Sequence, residues 1–461
     1  MRDAQRVMRP YPAGAARPRE AFPEGFVPPE QSGGLHDVGK ILVTPLLTVA
    51  VLFFCFHLWR IGNVNVTLSD ALFMIVVLIE LGLGRLNGSP FGTLTPIWLG
   101  SLVLMLTGLF VGSYVNGDLV RWIIVAGQYL FSYMLLPMVL IRDIGTINRL
   151  IVTLIIGVTG MESLGIVIYY TMDGWTQANA IFGPDFITGG RRLGAMVGDA
   201  NWNSAVIAMT LPFVLYAGIR RLIPVPAALI AGVMLMWALM LAASFTGFSA
   251  ALLALAVMAF FGRLRPSPQM ILLAGALAVG LYAAGYQMPD IFAKRVAPAF
   301  QNGDLEEAGT YDDRAELIAE AWGNAENTVI IGMGVDQFRE FSPSGQPVHN
   351  MYMLELAEGG IVALMGWLGV AMSLALIPLT RLREHRLEAA LSLGVIAVFQ
   401  VFTMASPHMY ARLWTIPVLL SLGAVLKAGP SPLWAGRSPQ SVTRPRAAWN
   451  KIRRTQVPRR R

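Results

Sequence analysis

The sequence predicts an all-α polytopic membrane protein of about twelve transmembrane helices, with both termini cytoplasmic and a large helical periplasmic loop before the tenth span. Three observations lead there. The 461 residues are 55% hydrophobic and 14% charged, with a mean hydropathy of +0.57, whereas a soluble domain carries about a quarter charged residues. Apolar runs long enough to cross roughly 30 Å of hydrocarbon as a helix recur along the chain. Basic residues alternate between the connecting segments as membrane topology requires.

Residues 1–39 carry Arg2, Arg6, Arg9, Arg17 and Arg19 among prolines and glycines. Such a segment buries too little apolar surface to fold alone, so a disordered basic cytoplasmic tail is expected. The first apolar run continues for a full span's length, which argues against a cleavable signal peptide. Spans are expected at 41–59, 68–84, 94–113, 119–141, 149–171, 201–219, 225–243, 247–262, 269–287, 350–380, 388–405 and 410–427. The first nine occupy 40–287, with an outer loop at 172–200, and the last three occupy 350–427 beyond a large periplasmic loop at 288–349. A second basic tail spans 428–461. With the amino end inside, 26 of the 35 Lys and Arg fall on cytoplasmic segments and 9 outside. One misplaced span would scramble that pattern downstream. Both ends are then cytoplasmic and both large loops face outward.

The net charge of +7 sits in tails and short loops. That placement reads as topology and predicts membrane lipids, with no nucleic acid, as the surroundings. Cys55 is the single cysteine and lies in an apolar run, so neither a disulfide framework nor a cysteine metal site is expected.

The polar residues that could carry chemistry gather in the outer loops. Arg191 and Arg192 stand among glycines in Gly189–Asn203, on the side the positive-inside rule avoids. A guanidinium fork matches phosphate oxygens, so a phosphate-bearing ligand explains them; the plainer reading is a solvated loop touching headgroups or Asp199. The Ser244–Ser249 turn offers hydroxyls that cap a helix or bond sugars, capping being favoured. In the long loop, Asp312-Asp313-Arg314 opens a helix whose apolar stripe is Leu317, Ile318, Ala321 and Trp322. Arg314 is expected where that helix docks, or else paired with Asp312 or Asp313. Lys294 and Arg295 add two outer cations, and Gly332-Met333-Gly334 is read as a flexible turn leading to Phe338.

His349 closes the long loop and opens the tenth span. As a straight helix of some thirty residues, that span would be about 45 Å long, placing His349, Glu355 and Glu358 at the mouth of the bundle. Of the five histidines, only His349 joins a large outer loop to a helix; His36 and His385 are cytoplasmic, His57 ends a span and His408 sits in a short turn. An imidazole accepts a proton at neutral pH, the service a sugar hydroxyl needs to attack an anomeric carbon. Arginines on two loops beside one imidazole suit displacement of a pyrophosphate. Asp304, Glu306, Glu307, Asp312 and Asp313 lack a convincing metal-ligand spacing, so a metal-independent site without cofactor is favoured.

Over roughly Arg191 to Thr380 the chain resembles the O-antigen ligase/polymerase family of bacterial membrane glycosyltransferases. The resemblance is carried by Arg191–Asn203, the Ser244–Ser249 turn, Asp313-Arg314 through Trp322, Gly332-Met333-Gly334 and, most specifically, Val348-His349-Asn350-Met351-Tyr352 leading through Leu356-Ala357-Glu358-Gly359-Gly360. It implies a donor glycan on undecaprenyl pyrophosphate, an acceptor that is a glycan, lipid A–core or protein, and an active site on the periplasmic face of the inner membrane. It further implies that His349 is the base and that Arg314 grips the pyrophosphate. Arg191, Arg192 and Arg295 are expected to assist with the pyrophosphate, and Asn350, Tyr352, Asn201 and Asn203 to bind substrate. Many members carry an arginine in the turn before the long loop, where this chain reads Thr246-Gly247. Either Arg191 or Arg192 supplies that charge or the donor grip differs. Polysaccharide-assembly partners fit the same reading. A secondary transporter or lipid-linked-glycan flippase is the rival, with Glu80, Glu162 and Gln128 as its intramembrane candidates.

Overall fold

A computed structural model describes residues 33–60, 66–172, 175–265, 287–302, 311–407 and 409–429. The described chain is mostly helical. It runs through α1 (Gly33–Leu52), α2 (Leu68–Gly82), α3 (Thr95–Asn116), α4 (Leu119–Leu140), α5 (Ile144–Thr171), α6 (Trp175–Phe182), α7 (Ala200–Ile219), α8 (Val225–Ala242) and α9 (Phe245–Gly262). After α9 come the short α10 (Asp290–Arg295) and α11 (Ala297–Asn302), then α12 (Tyr311–Thr328), α13 (Gln337–Phe341), α14 (Met351–Arg381), α15 (Arg386–Thr403) and α16 (Arg412–Lys427). A two-stranded antiparallel hairpin, β1 (Ile187–Thr188) and β2 (Arg192–Leu193), lies between α6 and α7. Among the described residues eight helices are long and apolar enough to cross a membrane, so the chain is a multi-pass helical membrane protein.

Several expectations need correction. Residues 33–39, assigned to the tail, are already helical. The first helix stops at Leu52, where 41–59 was expected to be one span; Phe53, Phe56 and Trp59 instead pack their rings together in a turn. The expected span at 269–287 lies almost wholly outside the described residues, as do His408, Asp304, Glu306, Glu307 and most of both tails.

The bundle is held along one seam. Helices α3 and α14 run side by side on small residues: Gly108 faces Gly359 and Ala363, Gly112 faces the backbone of Glu358, Gly366 abuts Met105 and Gly369 abuts Ser101. A Cβ built on Gly108 would lie 2.5 Å from the amide nitrogen of Ala363. Small residues let helix backbones approach closely, and where lipid supplies no hydrophobic drive that contact is a main source of association.

The expected straight tenth span is broken. Gly360 has φ 67° and ψ −168°, outside the helical region, so α14 is two helices joined at an angle. Its freed backbone groups find partners in the preceding loop. Met333 and Gly334 donate amides to the carbonyls of Ala357 and Glu358 at 2.8 and 2.9 Å, and the amide of Ile361 donates to Val329 O at 2.7 Å. Gly332-Met333-Gly334 is therefore a fixed wedge and not the flexible turn read from its glycines. Asn116 at the end of α3 donates to Gly332 O at 3.0 Å, and Ser113 accepts from the amide of Val335. Glu355 and Glu358, expected at the mouth, are 2% and 3% exposed, because the break turns the first half of α14 into the bundle.

The turn between α15 and α16 is recessed. Ser132 and Tyr133 donate to the carbonyls of Tyr410 and Met409 at 2.6 and 2.7 Å. Those hydroxyls stand in a π-helical turn, Phe131–Leu135, roughly 20 Å along α4 from its first residue. Below that turn the Arg412 guanidinium pairs with Asp70, which also completes a capping box with Thr67 at the start of α2. At the far end of the bundle Glu80 pairs with Arg85 and Arg142, and Arg220 with Glu388.

Leucine at Gly108 is expected to separate α3 from α14, at a cost of about 1–3 kcal/mol or more from overpacking. Gly100, with nothing within 4 Å of a Cβ, provides the control in the same helix. Thermal unfolding in detergent should show a clear drop for Gly108→Leu and none for Gly100→Ala.

Candidate functional site

The candidate site forms where the two long connections meet, at the end of the bundle that carries the last turn of α8 and the first turns of α7, α9 and α14. The hairpin divides its two arginines. Gly190 and Arg191 take left-handed φ values of 72° and 58°, turning the chain between β1 and β2. Arg191 swings outward: its guanidinium lies 5.0 Å from the centre of the Tyr169 ring and donates to Tyr169 O at 3.1 Å. Arg192 points the other way. Its Nε donates to Ala242 O, at the carbonyl end of α8, at 2.9 Å, and Nη2 donates to Asn201 Oδ1 at 2.7 Å. A helix carboxyl end carries partial negative charge, which holds this cation in place.

The other cations arrive from the long loop. Phe292 and Phe300 stack against Phe248 and Phe245, docking α10 and α11 on the first turn of α9. Arg295, at the end of α10, is partly buried, and its Nε is a buried nitrogen without a hydrogen-bond partner among the described residues. Leu317 and Ala321 bury the inner face of α12. Trp322, expected in that stripe, is 63% exposed, because the stripe closes on Leu317, Ile318 and Ala321. Arg314 stands one turn before Leu317, partly buried, and among the described residues it has no hydrogen bond or ion pair. The side chains of Asp312 and Asp313 lie outside the described set.

His349 sits in the extended segment before α14, partly buried, with Val348 and Met351 fully buried on either side. Asn350 caps α14, its Oδ1 accepting from the amides of Tyr352 and Met353 at 3.0 and 3.2 Å. That cap fixes the residue immediately before it.

These groups feel one another electrostatically. Burial pushes the Arg192 guanidinium down to about 10, with the charges of Arg295 and Arg314 acting in the same direction and Asp199 opposing them. Burial also lowers Arg314, again opposed by Asp199. His349 is held below its ordinary value of 6.5, first by burial and then by Arg314, with Asp199 pulling back. The charges of Arg295 and Arg314 therefore reach Arg192, and that of Arg314 also reaches the His349 imidazole. Among the described residues the acidic side chain that acts on the cluster is Asp199, which already caps α7 by accepting from the amides of Asn201 and Trp202 at 2.8 Å each. Among those residues the site carries more positive than negative charge, beside an imidazole that can take a proton.

The remaining expected residues have structural employment. Asn201 holds Arg192. Asn203 is fully buried and donates to Glu162 and to Leu193 O, both at 3.3 Å. Tyr352 donates to Gln400 at 2.8 Å. Ser244 caps α9 by accepting from the amide of Gly247 at 3.2 Å. Lys294 is exposed. Among the described residues no group of three or more His, Cys, Asp or Glu could hold a metal ion.

Two features escaped the sequence reading. Arg121 at the start of α4 pairs with Asp336, which has a left-handed φ of 60°, beside a cavity of about 350 Å³. Arg412 pairs with Asp70 in the bundle. Both arginines are among the nine basic residues that the charge count expects on the outer side. The charge rule that singled out Arg191 and Arg192 applies to them equally.

A comparison with models of known protein families finds no match to this chain, and a comparison with curated proteins finds none either.

An NMR titration of labelled histidine should place the His349 midpoint below 6.5. Arg314→Gln removes a neighbouring positive charge, so the midpoint is expected to rise toward the ordinary value. Asp199→Asn removes the opposing charge and should lower it further.

Proposed function

We propose that the chain is a membrane glycosyltransferase that moves a glycan from undecaprenyl pyrophosphate to an acceptor, a surface-polysaccharide ligase or polymerase acting at the periplasmic face of the bacterial inner membrane. The observation that supports the reading is that Arg192 on the carbonyl end of α8, Arg295 on the helix docked at the first turn of α9, and Arg314 share one end of the bundle with His349, the charge of Arg314 reaching the imidazole. Twelve crossings with both termini cytoplasmic accord with the charge pattern. They also accord with α9 ending at the far end while α10 packs beside the first turn of α9.

In this reaction the acceptor hydroxyl oxygen attacks the anomeric carbon from the face opposite the pyrophosphate. As the new C–O bond forms, the bond to the pyrophosphate oxygen breaks and its electron pair leaves with the phosphate. The hydroxyl proton passes to the neutral His349 imidazole. Guanidinium groups already short of counter-charge take up the negative charge growing on the leaving group. They do so without a metal. Inversion at the anomeric carbon follows from the single displacement. Arg192 supplies the cation that the Thr246-Gly247 turn lacks, since Arg191 is turned toward Tyr169.

A flippase or secondary transporter is the second reading, favoured by buried carboxylates in the bundle. Glu80 is paired with Arg85 and Arg142, and Glu162 contacts Asn203. Glu355 Oε2 and Glu358 Oε1, however, have no hydrogen-bond partner among the described residues. Substrate flux through proteoliposomes without covalent product would select that reading.

Purified protein supplied with lipid-linked glycan should form a transferred product, and His349→Ala should slow it by roughly 10²–10⁴-fold, the usual worth of a positioned base. Undiminished transfer would reject the assignment. Arg314→Lys keeps the charge but loses the forked donor geometry, so it too should lose activity. Because the base must be neutral, wild-type activity should persist below pH 6.5. Arg314→Gln, besides slowing the reaction, should move the acid limb of the pH profile upward.

A further inference from the structure

The cavity of about 350 Å³ at the loop end of the bundle is lined by Asp118, Arg121, Asp336, Gln337, Arg339 and Glu340. None of these residues was assigned to the reaction, and their chemistry differs from that of the His349 cluster. There, cations dominate. Here, three carboxylates and two guanidinium groups share one wall with an amide. A free anion entering would meet the carboxylates, and a free cation would meet the arginines. A neutral ligand rich in hydroxyls satisfies both sets, donating to carboxylate oxygens and accepting from guanidinium N–H groups. The volume is that of a small-ligand pocket, whose usual range begins near 300 Å³.

The walls are fixed in place. Arg121 pairs with Asp336, joining α4 to the segment before α13, and Arg339 Nε donates to Gly345 O at 3.1 Å. Asp336 holds a left-handed backbone, a conformation that persists only where surrounding structure enforces it. Gly334, two residues earlier, is wedged against Gly117 and Ser113 of the α3 terminus. The pocket is also tied to the site through the chain. Gly345 on its rim is four residues before His349, at most about 14 Å of extended chain.

We propose that this cavity binds the acceptor saccharide and orients it toward His349. The inference rests on the glycosyl-transfer reading and deepens it. It gives the acceptor a place beyond Asn201, Asn203, Asn350 and Tyr352, whose side chains each also make a hydrogen bond within the protein.

The test uses the full chain in nanodiscs and, as probes, the two candidate acceptor saccharides of the source cells: the repeat-unit oligosaccharide released by mild acid from the lipid-linked glycan, and the core oligosaccharide released from lipid A. Calorimetry should show one of them binding to the wild-type protein, and Gln337→Ala and Glu340→Gln should each weaken that binding at least tenfold. Both variants should raise the KM for acceptor with kcat little changed. Inorganic pyrophosphate should not displace the oligosaccharide. No binding of either probe to the wild type, unaltered affinity in both variants, or displacement by pyrophosphate overturns the pocket assignment. His349→Ala separates the two claims: it should bind the probe normally and fail in transfer. Retained transfer by His349→Ala would reject His349 as the base, and absence of any transfer by the wild type would reject the reaction, while affinity in the pocket variants would still decide this site.

Discussion

The close approach of α3 and α14 is the contact on which the loop end depends. Side chains would hold two helices 8–10 Å apart; glycines at 108, 112, 359 and 366 remove that spacer. The contact works because α14 breaks at Gly360. The carbonyls freed by the break face away from lipid, and the amides of Met333 and Gly334 reach them. An unpaired carbonyl in hydrocarbon would cost several kcal/mol, so break and wedge require each other.

That mutual requirement positions the cluster from both directions. On one side, the wedge anchors the end of α12 and so holds Arg314 three to four turns back along that helix. On the other, the first half of α14 starts at the Asn350 cap, one residue after His349. Arg192 comes from a separate anchor, the carbonyl end of α8. Three separate stretches of chain therefore reach one end of the bundle, Arg192 held at the carbonyl end of α8, Arg314 on α12 and His349 beside the Asn350 cap of α14.

Much of this was legible in the sequence, for reasons that also mark the limit. Span positions follow from apolar length, and the expected runs over 119–141, 201–219, 225–243 and 247–262 fall within a few residues of α4, α7, α8 and α9. The prominence of Arg192, Arg314 and His349 came from charge on the wrong side of a membrane and from one histidine at a helix start. The break at Gly360 was invisible to both criteria, since hydropathy does not see a backbone angle and Gly359-Gly360 reads as a tolerable pair in an apolar run. For the same reason Glu355 and Glu358 were placed at the mouth. The Arg121–Asp336 pair joins positions 215 apart in sequence, which no local pattern connects. The asparagines were read by chemical type, and only contacts reveal that Asn201 holds Arg192, Asn203 meets Glu162 and Asn350 caps α14.

Helix α2 has 15 residues and lies at the perimeter, with Met74, Ile75, Leu78 and Leu81 exposed. It offers an apolar wall of roughly 22 Å to a bilayer whose hydrocarbon is about 30 Å thick. Acyl chains on that flank must shorten or tilt to match it. A 15-residue apolar helix facing lipid is a one-sided hydrophobic mismatch, which the bilayer meets by thinning locally at that flank.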